Sequence, residues 1–112
     1  MTGPAQPVVL DGLALELRRG ALVLAVLTQL HGEQYGYSLK KSLARAGLEI
    51  DEGTLYPLLR RLETQGLLKS RWRVEEGRPR RYYQISAKGE STLRALTREW
   101  KDLAKALEGL LK

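Results

Sequence analysis

The chain has 112 residues, with 19 Lys and Arg against 13 Asp and Glu, a net charge of +6 and a pI near 9.8. That length supports one domain with a modest core. The positive balance points either to an anionic partner, nucleic acid or a membrane surface, or to a plain basic, solvated exterior. With no cysteine, disulfides, thiolate metal sites and a cysteine nucleophile are excluded, and a reducing cytoplasm is the fitting compartment. The longest purely apolar run, ALVLAVL at 21–27, falls far short of the roughly 20 residues of a membrane helix. The opening MTGPAQP carries no positive charge ahead of an apolar region, so it reads as a frayed lead-in and not a signal peptide.

Residues 12–30 show helical spacing through Leu13, Leu17, Val23, Val26, Leu27 and Leu30. Gly20 interrupts the pattern, leaving two helices or one bent helix open. HGEQYG breaks the run. Leu39, Leu43 and Ala46 then stripe a shorter helix that Gly47 would end. In DEGTLYPLLRRLETQG, Leu55, Leu58, Leu59 and Leu62 share one face, and Gly66 is a stop signal. Either Asp51 or Thr54 can cap this third helix; with Thr54 as cap, the missing N–H of Pro57 would cost nothing.

The period then changes. Leu68, Ser70, Trp72 and Val74 alternate with Lys69, Arg71 and Arg73, as in a half-buried strand. EEGRPR reads as a turn, and Tyr83 and Ile85 alternate with Tyr82 and Gln84 in a second strand. Residues 67–85 are therefore expected as a β-hairpin, and Ser86 caps a last helix to about Leu111. Three short helices followed by a hairpin form a winged helix-turn-helix. The predicted fold is mainly α with a β-hairpin wing over residues 12–86 and a long C-terminal dimerisation helix over 87–112, in one compact unit.

Three features carry function. The outer face of the third helix offers Thr54, Tyr56, Pro57, Arg60, Arg61 and Thr64, side chains able to read base edges and phosphates in a major groove. An ordinary solvated face would look the same in isolation. The hairpin adds six basic residues against two acidic ones between residues 69 and 81. Charge gathered on one protruding element suits phosphate binding, a wing arginine suits a narrow minor groove, and Pro79 stiffens the tip. Edge-strand protection accounts for Arg71 and Arg73, but not for Arg78, Arg80 and Arg81 around the turn. Finally, Leu93, Leu96, Trp100, Leu103, Leu107 and Leu110 step by three and four, a narrow seam that fits a homodimer better than a helix serving only its own core.

GTLYPLLRRLETQGLL at 53–68, GRPRRYYQIS at 77–86 and YGYSLKKSL at 35–43 resemble the phenolic-acid decarboxylase regulator (PadR) family of bacterial transcription regulators. The resemblance covers nearly everything after Ala14. It implies a winged helix-turn-helix dimerised through its last helix with help from its first, in the short branch that has one such C-terminal helix. It also implies a repressor that binds double-stranded DNA, in some members under control of a small planar aromatic or drug-like ligand. By position, Tyr37 and Ser38 start the supporting helix near phosphates, and Thr54, Tyr56 and Arg60 or Arg61 belong to the recognition helix. Arg78, Arg80 and Arg81 belong to the wing, and Trp100 matches a tryptophan that faces the partner subunit and could line a ligand site. Ser86 stands where the family more often has threonine, which keeps the capping hydroxyl.

An enzyme is not expected. His31 is the single histidine and lies in a turn, no carboxylate pair stands out, Glu63 and Glu90 read as solvated helix positions, and there is no glycine-rich phosphate loop. No catalytic residue, metal ligand or cofactor is assigned. Two other readings stay open: a winged-helix protein–protein module without DNA contact, and a sequence-neutral architectural DNA binder.

Overall fold

The computed structural model describes residues 7–112; the lead-in expected at the N-terminus lies outside them, apart from Pro7. The first helix, α1, spans Pro7–Gln29 and runs unbroken through Gly20, which removes the two-helix alternative. Its C-terminal half buries Leu22, Val26 and Leu27, followed by Leu30. Leu13 and Leu17, expected on the same inward stripe, are exposed instead, because the core begins only at Leu22.

A two-residue strand β1, Gln34–Tyr35, precedes α2, Gly36–Arg45. HGEQYG is therefore more than a break, although two residues are too few for any periodic signal. Leu39 and Leu43 are buried as expected, while Ala46 lies past the helix as its exposed cap. Gly47, at φ +93, lets the Leu48 N–H return to the Leu43 carbonyl at 2.8 Å and closes the helix end.

Helix α3 spans Glu52–Thr64, and the Asp51 carboxylate accepts from the Thr54 N–H at 3.0 Å. Asp51 is thus the cap, and Pro57 sits inside the helix at the cost of one backbone hydrogen bond. Leu55, Leu59 and Leu62 are fully buried and Leu58 is half-buried. Gly66, at φ +81, ends α3 with Leu67 N–H returning to the Leu62 carbonyl at 2.9 Å.

Strands β2, Leu68–Glu75, and β3, Arg78–Ile85, form the wing in an antiparallel sheet ordered β1-β3-β2. The turn is only Glu76 and Gly77, both at positive φ. Arg78, Pro79 and Arg80 are strand residues paired with Glu75, Val74 and Arg73, so the turn expected at EEGRPR contracts to Glu76 and Gly77. Pro79 is tolerated because β1 reaches only Tyr82 and Tyr83, leaving β3 without a neighbour on that side.

Leu68, Tyr83 and Ile85 are buried at the wing root. Trp72 and Val74, expected on the buried face, are exposed because the hairpin extends past the core. Tyr82, expected to face solvent, is buried under Tyr35 of β1, ring centroids 5.4 Å apart, and under the Arg73 guanidinium at 4.4 Å.

The last helix, α4, spans Ala87–Leu111 and is capped by Ser86, whose hydroxyl accepts from Gly89 N–H at 3.0 Å. The same hydroxyl donates to the Gly66 carbonyl at 2.6 Å, and Lys88 Nζ donates to the Gln65 carbonyl at 2.8 Å. A Cβ at residue 89 would collide with the Leu67 backbone carbonyl, so glycine is what lets α4 start directly on the wing root. Leu93 completes the core, Leu96 is half-buried against it, and the remainder of α4 projects beyond. No helix among the described residues is long and apolar enough to cross a membrane.

Candidate nucleic-acid interface

With its leucines inside, α3 turns Pro57, Arg60, Arg61 and Thr64 outward, all exposed, with Thr54 half-buried at the first turn. The two arginines diverge. Arg60 lines a groove toward the wing, shared with Tyr37, Tyr56, Trp72, Arg80 and Arg81. Arg61 lines a separate concavity toward α1 with Thr54, Pro57 and Arg19, a residue that neither spacing nor charge pattern singles out.

The aromatic residues have different freedoms. Tyr56 rests on residue 36 so closely that any Cβ there would clash with its ring, which fixes the spacing of α2 and α3. Partial burial pushes the Tyr56 phenol pKa up, with Glu52 adding to the shift. Tyr37 is exposed at the start of α2, with Lys41 Nζ 5.4 Å from its ring centre. Ser38 donates to the Tyr35 carbonyl at 2.9 Å.

The wing carries less free charge than its sequence suggests. Arg71 forms a two-pronged pair with Glu33, from Nε at 2.6 Å and Nη2 at 2.9 Å, and Arg73 reaches the same carboxylate at 3.4 Å. The Arg71 hydrogen bond holds the Glu33 carboxyl below the usual carboxylate range against an opposing effect of burial. Arg73 also pairs with Glu75 at 3.1 Å, and the Tyr82 hydroxyl bonds that same carboxylate. On the face toward α3, Arg81 donates to Glu63 at 2.8 Å and to the Ser70 hydroxyl at 3.0 Å, while Ser70 donates to Glu63 at 2.5 Å. Glu63, expected as a solvated helix position, instead ties α3 to the wing. Glu90 likewise stands 3.2 Å from His31 Nδ1. Arg80 lies over the Tyr35 ring at 4.5 Å and 3.8 Å from Glu75, with Arg78 exposed at the tip beside it. Thus Arg60, Arg61 and Arg78 have no ion pair among the described residues, whereas Arg81 is held within the protein.

Along the expected seam, Leu93 is buried in the chain's own core. Trp100, Leu103, Leu107 and Leu110 are exposed, Trp100 at 47%. Val9, Leu10, Leu13, Leu15 and Leu17 of α1 are exposed as well. No group of three or more His, Cys, Asp or Glu among the described residues could hold a metal ion.

The profile of the "Transcriptional regulator PadR-like family" matches residues 23–95. The transcriptional regulator Rv3488 of Mycobacterium tuberculosis is 39% identical over 95 residues, spanning 84% of this chain and 89% of that protein. Among solved structures, a PadR family transcriptional regulator from Eggerthella lenta superposes with a TM-score of 0.86 at 46% identity, covering 93% of each chain. A transcriptional regulator from Clostridium thermocellum gives 0.81 at 31% identity, covering 87% of this chain and 99% of that one.

Proposed function

Because the chain belongs to the PadR-like transcriptional regulator family, we propose that it is a repressor that binds a palindromic operator as a homodimer in the cytoplasm. The observation that carries this reading is the convergence of α3 and the wing on one groove, where Tyr37, Tyr56, Arg60 and Arg80 meet. Recognition helix α3 enters the major groove, with Arg60 and Arg61 at base edges and Thr54 and Pro57 against the backbone. Tyr37 and Ser38 bring the start of α2 to a phosphate. The wing tip, with Arg78 and Arg80, follows the flanking strand.

The dimer is supported by two apolar faces that the chain leaves uncovered, α4 from Trp100 to Leu110 and α1 from Val9 to Leu17. Two-fold pairing through them presents two recognition helices to half-sites about one helical turn, roughly 34 Å, apart. Trp100 stands midway along α4. Two indoles near a dyad would offer a stacking site for a planar aromatic ligand, which alters DNA affinity only if it binds two subunit spacings unequally.

A footprint on the promoter region next to the gene tests the proposal. A protected palindrome, with higher affinity than shuffled sequence at matched salt, is the expected result. Equal affinity for shuffled DNA favours the architectural binder, and no DNA binding favours the protein–protein module.

A further inference from the structure

We propose that Trp72 is itself a DNA-contacting residue, its indole packing on the sugar–phosphate backbone in the groove between α3 and the wing. This rests on the DNA-binding reading above and adds an uncharged contact to it. Register pairs Trp72 with Arg81 and Ser70 with Tyr83. Paired residues share a face of the sheet, so Trp72 stands on the side where Ser70 and Arg81 reach Glu63 of α3. Leu68, four residues earlier, is buried, but at Trp72 the hairpin has outgrown the core and 63% of the residue is exposed.

An isolated exposed apolar side chain needs no explanation on an ordinary surface. The location of Trp72 is what gives it one. The groove it lines also holds Arg60, Arg80 and Tyr37, a cationic setting complementary to a phosphate backbone. The Arg81 guanidinium, held by Glu63, lies 5.8 Å from the indole centre and covers it on one side. The remaining surface is offered outward. An indole suits that place: its N–H can donate to a phosphate oxygen, and its ring can pack on deoxyribose. Neither contact neutralises a phosphate, so neither releases a counterion.

The test uses the full chain with Trp100→Phe, which leaves Trp72 as the sole tryptophan of the original two. A fluorescein-labelled duplex of about three helical turns, roughly 30 base pairs, reports binding by anisotropy at low salt. Acrylamide quenching reports access to the indole. On saturation with duplex the quenching constant should fall about twofold or more. Trp72→Ala should lose about tenfold in affinity, near 1.4 kcal/mol, with an unchanged slope of log affinity against log salt. Duplex binding that leaves the indole equally accessible, with Trp72→Ala binding as tightly as wild type, overturns the assignment while the DNA reading stands. A Trp72→Ala loss accompanied by a flatter slope also overturns it, because the residue would then act by holding Arg81. Shielding already complete in DNA-free dimer assigns Trp72 to the subunit interface and overturns it too. If wild type binds no duplex even at low salt, the DNA reading fails and this contact with it.

Discussion

Arg81 on the wing donates to Glu63, near the end of α3, at 2.8 Å, and both side chains also bond the Ser70 hydroxyl. One carboxylate thereby joins α3 to both wing strands. Both charged side chains are partly exposed, 37% for Arg81 and 27% for Glu63, so solvent screens the pair.

Breaking this junction should cost little but measurably. Glu63→Ala and Arg81→Ala should each destabilise the fold by about 0.5–1.5 kcal/mol. Because they remove the same interaction, the double variant should fall short of the sum by about 0.5 kcal/mol or more. Urea unfolding of the four proteins measures the cycle. Additive effects would mean that the pair contributes nothing to stability.

The wing arginines should sort by their partners. Arg78→Ala with Arg80→Ala should weaken binding to all sequences and flatten the salt slope by about 0.9 for each phosphate no longer neutralised. Arg81→Ala should flatten it less. Glu33→Gln should do the opposite, freeing Arg71 while Arg73 keeps its pair with Glu75, raising sequence-independent affinity and steepening the slope. The Glu33 carboxyl is held below its ordinary range mainly by the Arg71 hydrogen bond. The pair's contribution to stability is thus complete above the unfolded carboxylate value and disappears as pH falls through the lowered one. Arg60→Ala and Arg61→Ala should instead relax preference at different bases, since the two side chains diverge. Equal losses on operator and random duplex would remove them from base reading.

Much of this was legible because short-range chemistry repeats. Leu55, Leu59 and Leu62 declare their face by spacing, Ser86 is a side-chain cap, and Gly47 and Gly66 mark helix ends, whereas the choice of Asp51 over Thr54 as the α3 cap came only with the folded backbone. The wing root was legible by its alternation; its tip was not. A two-residue turn with both φ values positive is announced by Asn-Gly or Asp-Gly, and Glu76-Gly77 sends a weaker signal, while Pro79 nearby looks like part of the turn. The ionic network was hidden for another reason. Glu33 lies 38 residues from Arg71, and Glu63 lies 18 from Arg81, so only the folded chain brings them together. Counting charge along residues 69–81 therefore overstated what the wing can offer to phosphate.

Gly89 and Gly53 should respond oppositely to alanine. At residue 89 the added Cβ meets the Leu67 backbone, so α4 must shift, and the cost should be about 1–3 kcal/mol. At residue 53 nothing lies within 4 Å and φ is not positive, so the helix should gain about 0.4–1 kcal/mol. Paired urea titrations measure both, and equal midpoints for the two variants would contradict the close seating of α4 on the wing root.

Replacing Leu103 and Leu107 with Glu should give a monomer that retains its helical content. Both residues are exposed in the single chain, so the change leaves its core intact. Sedimentation should show the shift, and affinity for operator should drop steeply because half-sites are no longer bound together. A variant that still sediments as a dimer would move the interface elsewhere.

Trp100 provides the sharpest test of ligand control. It stands between Leu96 and Leu103 on the exposed seam, and its own chain leaves it 47% exposed. Filling a dimer core and flanking a ligand make different predictions for its emission. If paired indoles sandwich a flat aromatic or cationic molecule, titrating such compounds should quench fluorescence in Trp72→Phe and leave Trp100→Phe unchanged. The assignment of Trp72 to the DNA groove sharpens the contrast, since duplex should act on Trp72 and ligand on Trp100. Quenching should saturate at a Kd below about millimolar, tighter than roughly −4 kcal/mol, and should shift operator affinity by the ratio of ligand affinities for the two subunit spacings. Quenching that follows Trp72, or no binding below millimolar, would leave Trp100 as a filler of the dimer core, with the large buried ring adding stability to the seam and no sensing role.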